Sequence, residues 1–386
     1  MANDAPLLLD VTRLVWRRWA DRRPTGIDRV CLAYLDYFAG RAQAVVHHPR
    51  FRRILDRNSS AVLFDLLRAP PRRFRTALAA SALLRLGGVA CPSDGRPYLN
   101  IGHTGLDQDG FRCWLSGSGA RPIYFVHDLI PITHPEFCRT GEAQRHALRM
   151  RTILSTASGV IGNSQSTLDA LAQFAEAEHL PCPPSIAAWL GTAHDQNSDS
   201  AHSPSARPIF LVLGTIEARK NHLLLLRVWK RLAERMGAAT PQLLIMGQRG
   251  WKADEVFNIL DDKHALNGHV VELNYCADDE LADHFASARA LLFPSKLEGY
   301  GLPLVEALAV RLPVIASDLP VFHEIGQGVP MLLDAKDEAA WEAAILDFAQ
   351  PESSARAAQL RRLSGFAAPT WEDHFAAVEA WLQTVA

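Results

Sequence analysis

Two kinds of apolar run alternate along this chain. Short unbroken runs, such as Pro122–Val126, Val160–Ile161, Ile209–Leu213, Gln242–Met246, Val270–Leu273, Ala290–Phe293 and Pro313–Ala316, predict strands buried on both faces. Between them lie stretches with helical spacing. One opens at Thr25-Gly26 with Val30, Leu32, Ala33, Leu35 and Phe38 on one face; another opens near Thr167. Strands that alternate with helices predict an α/β chain of doubly wound parallel sheets. At the amino end the pattern predicts a strand over residues 6–14, then a basic loop, Trp16 to Pro24, with two tryptophans. Residues 41–90 carry two arginine-rich stretches and read as a basic amphipathic helical region. The polar run at residues 192–207 reads as a linker between domains 1–191 and 208–368. Residues 369–386 predict a terminal helix with Trp371, Phe375, Val378, Trp381 and Leu382 inward.

Polar residues at the carboxyl ends of the predicted strands carry the chemistry, because open α/β sheets bind ligands there. After Ala290–Phe293 comes Ser295-Lys-Leu-Glu298-Gly-Tyr-Gly-Leu-Pro-Leu-Val-Glu306. Glu298 falls in the loop. Gly299 and Gly301 let the backbone turn sharply beside Tyr300. The amides of Gly301 and Leu302 lead into a helix N-terminus, which favours negative charge. Glu306 lies about one turn inside that helix. An acid, a glycine turn and a helix N-terminus suit a ligand with hydroxyls and phosphates, such as a nucleotide sugar. After Ile209–Leu213 comes Gly214-Thr215-Ile-Glu-Ala-Arg219-Lys220-Asn221. Two adjacent cations there suit a diphosphate, since cations at a helix start oppose the dipole. His127 and Asp128 end the strand that starts at Pro122, and Ser164 follows Val160–Ile161.

The Ser295–Glu306 segment resembles the glutamate–seven residues–glutamate motif of the retaining family-four glycosyltransferases of the GT-B fold, flanks included. The Gly214–Asn221 segment resembles the same family's glycine-x-x-glutamate-x-arginine-lysine-asparagine stretch. The resemblance implies two Rossmann-like domains facing across a cleft, with the terminal helix returning to the first. It implies that Lys220 holds the leaving phosphates with Arg219 in support. Glu298 would bind sugar hydroxyls, Glu306 the ribose, and His127 the transferred sugar. Gly26 and its loop would close on the diphosphate. His127, Lys220 and Glu298 are thus the catalytic candidates. Many family members carry an arginine directly after the glycine, where this chain has Thr215. Gly247 and Tyr275 are further nucleotide-framing candidates, and Asp128 and Ser164 lie on the acceptor side. The family's chemistry is retaining and metal-independent, with the leaving phosphate taking the acceptor proton. It places the chain in bacterial surface-polysaccharide or lipopolysaccharide assembly. The segments around His127 and Gly214 look like those of mannosyl- and rhamnosyltransferases, so GDP-mannose is the first expectation and dTDP-rhamnose or a UDP-hexose the alternative. An epimerase or phosphorylase on the same fold, or a non-catalytic binding module, are the other readings.

Composition adds three constraints. The net charge of −2 over 386 residues argues against general nucleic-acid binding. The charge is unevenly spread: residues 1–85 hold 16 Arg and 7 acids, whereas residues 191–386 hold 17 Lys plus Arg and 26 acids. A basic first domain suits an anionic membrane surface or a lipid-linked acceptor at the inner face of the cytoplasmic membrane. Leu7-Leu8-Leu9 is cut short by Asp10, so neither a signal peptide nor a membrane span is expected. The 6 cysteines form no C-x-x-C pair; they are expected as small buried hydrophobes in a reducing cytosol. No metal or other cofactor is expected. Asp107-Gln-Asp109 reads as a solvated turn, and Asp261-Asp262 and Asp278-Asp279 as helix-start acids.

Overall fold

The structure, a computed structural model, describes residues 7–22, 24–48, 51–80, 95–192, 207–262, 264, 266–274 and 278–385, with Asp278 and Asp279 described by their backbone alone. The chain divides into two compact units. The first holds Met1–Ile132, Ala143–Leu190 and Trp371–Ala386; the second holds Thr133–Glu142 and Gly191–Thr370. The expected linker lies outside the described residues except for its two ends.

In the first unit the strands are β1 (Leu7–Asp10), β2 (Ala42–His48), β3 (Phe51–Ile54), β4 (Pro97–Asn100), β5 (Arg121–Val126), β6 (Gly159–Gly162) and β7 (Ser185–Ala187). Their order is β3-β2-β1-β4-β5-β6-β7. All pairs are parallel except the edge pair β2–β3. The chain runs outward from β1 on one side and returns to β4 on the other, so the topological switch lies between β1 and β4. Four buried polar side chains mark that point. Tyr98 Oη donates to Asp10 Oδ2 at 2.6 Å and His47 Nε2 lies 3.1 Å from it. Asn100 Nδ2 donates to Tyr98 Oη at 3.0 Å.

β1 is shorter than its apolar pattern predicts. Asp10 Oδ1 accepts from the Thr12 amide at 2.9 Å, which turns the chain directly into a helix, Thr12–Trp19. Trp16 and Trp19 are therefore helical, not in a loop. Residues 41–90 also differ from expectation. They begin with a strand pair, β2 and β3, before the helices Arg57–Arg68 and Phe74–Ala80. Arg52 and Arg53 sit on the antiparallel edge strand, where charge blunts the edge. The terminal helix Trp371–Val385 belongs to the first unit. Its Phe375 ring stacks on Tyr37 at 4.0 Å, and His374 Nε2 lies 2.9 Å from Tyr34 Oη.

The second unit is wholly parallel: β8 (Ile209–Leu213), β9 (Gln242–Met246), β10 (Val270–Leu273), β11 (Ala290–Phe293), β12 (Val314–Ser317) and β13 (Met331–Leu333). The order β10-β9-β8-β11-β12-β13 puts its switch between β8 and β11. β11 and β12 are buried along their whole length, which explains their unbroken apolar sequence. The helix His222–Met236 turns Leu225, Val228, Trp229 and Leu232 into this core. Its Arg231 pairs with Glu338 and Glu342 of the helix Glu338–Ala349.

Thr133–Glu142 groups with the second unit through specific bonds. Trp251 Nε1 donates to the Phe137 carbonyl at 2.9 Å, and Lys252 Nζ to that of Glu136 at 2.7 Å. The Arg139 guanidinium lies 4.8 Å from the Trp251 ring centroid. Several smaller expectations change. Asp261 ends the helix Asp254–Asp261 instead of starting one, and its carboxylate is held by Arg249. Asp107 and Asp109 lie in a turn, as expected, and Asp109 is exposed, but Asp107 is half-buried and accepts from Arg145 and Arg149. Cys31 and Cys138 are buried, whereas Cys113 and Cys182 are exposed; Cys91 and Cys276 lie outside the described residues.

The loops after β8 and β9 run side by side. The Ile216 amide donates to Gln248 O and the Gly250 amide to Ile216 O. A Cβ on Gly247 would stand 1.9 Å from the Gly214 carbonyl oxygen. Gly247→Ala is therefore expected to cost about 3 kcal/mol, the upper range for an overpacked site. Urea unfolding of the variant checks this; wild-type stability would show that the two loops separate freely.

Candidate active site

The two loops at the switch point of the second sheet meet around one carboxylate. Glu298 leaves β11 in a loop and its side chain is 8 % exposed. Lys220 Nζ donates to Glu298 Oε1 at 2.5 Å, and Arg219 Nη1 to Oε2 at 2.8 Å. The backbone repeats the tie: the Lys296 amide donates to the Arg219 carbonyl at 2.7 Å. Arg219 has three engagements here. Besides Glu298, it donates to the Leu297 carbonyl at 3.0 Å and pairs with Glu217 at 2.7 Å. It is a clamp on the Glu298 loop rather than a cation turned outward.

Lys220 is 9 % exposed and its ammonium lies 4.8 Å from the Phe293 ring centroid. Burial lowers its pKa, while Glu298 works against that shift. For Glu298 burial acts to raise the pKa, but Arg219 and Lys220 outweigh it and hold the acid at about 2. Glu298 is thus ionised at neutral pH, in a site largely closed to water.

Beyond Glu298 the chain turns through Gly299 and the buried Tyr300 to Gly301, whose φ is +114°. A Cβ at Gly301 would stand 2.7 Å from the Phe322 ring, so both conformation and space require glycine. Gly301 caps the helix Leu302–Ala309 and Pro303 occupies its first turn. Glu306 is the acid in that otherwise apolar helix and is 4 % exposed. Thr215, in the position after Gly214, is packed toward Gly250, where a Cβ would stand 2.6 Å from its Cγ2. Tyr275 lies outside the described residues. His222 follows Asn221 and was not singled out by the sequence. It is 1 % exposed, neither ring nitrogen has a partner, and burial, reinforced by Lys220, lowers its pKa to about 3.

The first unit carries a second polar cluster at the ends of β4, β5 and β6. His127 Nε2 donates to the Ile101 carbonyl at 2.7 Å, and His103 Nε2 to the Phe125 carbonyl at 2.6 Å. These reciprocal bonds stitch the β4 and β5 ends together. Asn163 Nδ2, from beyond β6, donates to the His127 carbonyl at 2.8 Å. Burial, the largest influence, lowers the His127 pKa to about 4. Asp128 Oδ1 accepts from the Ile130 amide at 3.1 Å, and its carbonyl from His146 Nε2 at 3.0 Å. Ser164 is fully buried, and its hydroxyl caps the helix Gln165–Ala177 by accepting from the Thr167 amide. Gly26 is the exposed first residue of the helix Gly26–Phe38, which Thr25 and Asp28 cap. Asp28 also holds Arg13 and Arg17.

Residues 194–361 match the family model for Glycosyl transferases group 1. The chain is 32 % identical over 228 residues to the serotype-specific mannosyltransferase WbdA of Escherichia coli, covering 55 % of this chain and 28 % of WbdA. It is 31 % identical over 163 residues to the Escherichia coli O-antigen chain mannosyltransferase B, covering 42 % of each. The chain thus spans less than half the length of these relatives. Among solved structures, Anabaena Alr3699/HepE in complex with UDP superposes with a TM-score of 0.65 at 16 % identity, covering 98 % of this chain and 99 % of that one. Sucrose-phosphate synthase from Thermosynechococcus elongatus gives 0.59 at 17 %, covering 98 % of each chain. These likenesses establish the GT-B fold.

Glu298 ties the site to stability through pH. Its pKa is depressed in the folded state, so its contribution is complete above the ordinary value of 4.5 and is lost as pH falls toward about 2. That interval corresponds to about 3 kcal/mol. The stability gap between wild type and Glu298→Gln is expected to narrow across this window in denaturant unfolding. A gap independent of pH would show that Glu298 is not held ionised by its cations.

Proposed function

We propose that this chain is a retaining, metal-independent glycosyltransferase. It would move a hexosyl group from a nucleotide sugar, GDP-mannose first, to a saccharide or lipid-linked acceptor in surface-glycan assembly. The observation that carries the reading is the Lys220–Glu298–Arg219 cluster, set at the sheet's switch point beside a helix N-terminus. The mannosyltransferase relatives support the choice of sugar.

The chemistry follows from donor capacity. An ammonium has three donors. Glu298 takes one from Lys220, which leaves two for the oxygens of a leaving diphosphate. Charge that develops there meets an ammonium in a buried site, where fixed charges stabilise more than in water. The Leu302 amide and its helix add positive potential. The Glu298 carboxylate keeps acceptor capacity for sugar hydroxyls, and Glu306 supplies a second acceptor for the ribose. The acceptor hydroxyl passes its proton to the departing phosphate. Lys220 thereby supplies the charge that a metal ion would otherwise bring.

The first unit suits a peripheral place on an anionic membrane at the cytoplasmic face. Trp16 and Trp19 are 39 % and 37 % exposed on the helix Thr12–Trp19, with the half-buried Arg18 and the exposed Arg22 beside them. Among the described residues no helix is long and apolar enough to cross a membrane.

Thermal unfolding across GDP-, UDP- and dTDP-sugars, with chelator present, tests the donor site. Stabilisation by one nucleotide family is expected, about 2.7 kcal/mol at a hundredfold excess over Kd. Lys220→Ala is expected to lower kcat by about 10²–10³, and product anomers read by NMR test retention. No stabilisation by any nucleotide sugar would overturn the transferase reading. Flotation with anionic and neutral vesicles tests the surface. Arg18→Gln with Arg22→Gln is expected to weaken anionic binding about tenfold or more, at about 1 kcal/mol per arginine. Unchanged flotation would remove the membrane role.

A further inference from the structure

Three histidines meet in the first unit, and sequence pattern singled out only one. His103 follows β4, His127 follows β5, and His146 lies on the helix Glu142–Thr156. The His103 ring centroid is 5.3 Å from that of His127 and 5.7 Å from that of His146. The three residues are 5–7 % exposed. Each commits Nε2 to a backbone carbonyl: His103 to Phe125, His127 to Ile101, and His146 to Asp128. A carbonyl only accepts, so each Nε2 carries the hydrogen. In a neutral imidazole the other nitrogen, Nδ1, is then an acceptor.

The surroundings favour the neutral form. Burial is the largest influence lowering the pKa of both His103 and His127. His127, His146 and Arg149 act in the same direction on His103; Arg13 and His146 do so on His127, against Asp128. His103 and His127 therefore present neutral acceptors. The cluster lies at the carboxyl edge of a parallel sheet, one strand from the switch point. Among the described residues, no group of three metal-ligating side chains converges on a common point. The ligand that suits such a set is an uncharged polyol whose hydroxyls donate.

We propose that His103 and His146 extend His127 into a three-imidazole hydroxyl-recognition site for a hexopyranoside, each Nδ1 accepting from a sugar hydroxyl. The assignment of a sugar as ligand rests on the transferase reading above. The pyranoside belongs either to the acceptor or to the donor's sugar, and both offer the same hydroxyl chemistry. His103 has φ +57°, a left-handed conformation uncommon outside glycine. That conformation accompanies the bond from His103 to the β5 carbonyl.

The test is NMR of the full chain labelled with nitrogen-15 at histidine, near neutral pH, with resonances assigned from His103→Gln, His127→Gln and His146→Gln. Before titration His103 and His127 should carry hydrogen on Nε2 only. Methyl α-mannopyranoside, methyl α-glucopyranoside and GDP-mannose are then added separately. A saturable movement of the three Nδ1 resonances with either methyl hexoside supports an acceptor-sugar site. Movement with GDP-mannose alone supports the same site for the donor's sugar. His103→Gln and His146→Gln should raise the half-saturating concentration of the effective ligand about fivefold each, the effect of one hydrogen bond. Stabilisation by GDP alone should be unchanged. If neither the hexosides nor GDP-mannose moves these resonances, the proposal falls, whatever the nucleotide does to thermal stability. If hexosides move them while no nucleotide sugar stabilises the chain, the sugar site stands and the transferase reading fails. Because the decisive readout uses the wild-type chain, misfolding of a variant does not obscure it.

Discussion

A carboxylate withdrawn from water and shared by two cations organises the second unit. Taking Glu298 and Lys220 out of solvent costs several kcal/mol per ion, and their attraction offsets that cost only in good geometry. Here the geometry is fixed twice. Arg219 and Lys220 grip the two oxygens of Glu298, and the Lys296 amide bonds the carbonyl of Arg219 itself. The loop after β8 cannot move without the loop after β11. Because the sheet order makes β8 and β11 neighbours, residues nearly eighty positions apart in sequence form one knot.

The first unit joins its strand ends by different chemistry. Its sheet also ends in polar loops, and beyond β4, β5 and β6 the ties are neutral: imidazole to carbonyl, side-chain amide to carbonyl, backbone amide to hydroxyl. Neutral groups lose less on burial than ions do. They bring fixed donors and acceptors without a strong field. The charged cluster of the second unit suits a group that gains charge as it departs, whereas the neutral cluster suits hydroxyls that remain uncharged until late. The division of labour proposed for the two units thus matches the electrostatics of their strand ends.

The sequence made legible what is local. Runs such as Ala290–Phe293 are short, wholly apolar and bounded by polar turns, so their strand character is plain. Glu298 and Lys220 were legible for the same reason, since each follows such a run. Features set by a single side-chain bond were hidden. β1 stops at Asp10 because that carboxylate accepts from the Thr12 amide, and apolar periodicity carries no trace of the bond. β4 is four residues with a proline and an asparagine, too short and too polar to register as a buried run. Without β4, nothing placed His103 beside His127. Thr133–Glu142 is a related case: its grouping with the second unit depends on bonds from Trp251 and Lys252, more than a hundred positions away.

Thr215 shows how a local packing choice constrains the chemistry. The position after Gly214 faces Gly250, whose missing side chain leaves room for the threonine methyl and little more. A long cation at 215 would have to leave that packed position. The positive charge around Glu298 therefore comes from Arg219 and Lys220, and Glu217 and Glu298 balance it. A diphosphate entering such a cluster meets no large excess of positive charge. On the proposed reading its binding draws on directed donors: the two N–H groups of Lys220 not given to Glu298, and the helix that begins at Leu302. Donors fixed in direction discriminate by shape as well as charge. Under the proposed function, such donors would distinguish a nucleotide sugar, whose phosphates and hydroxyls hold set positions, from an anion of equal charge.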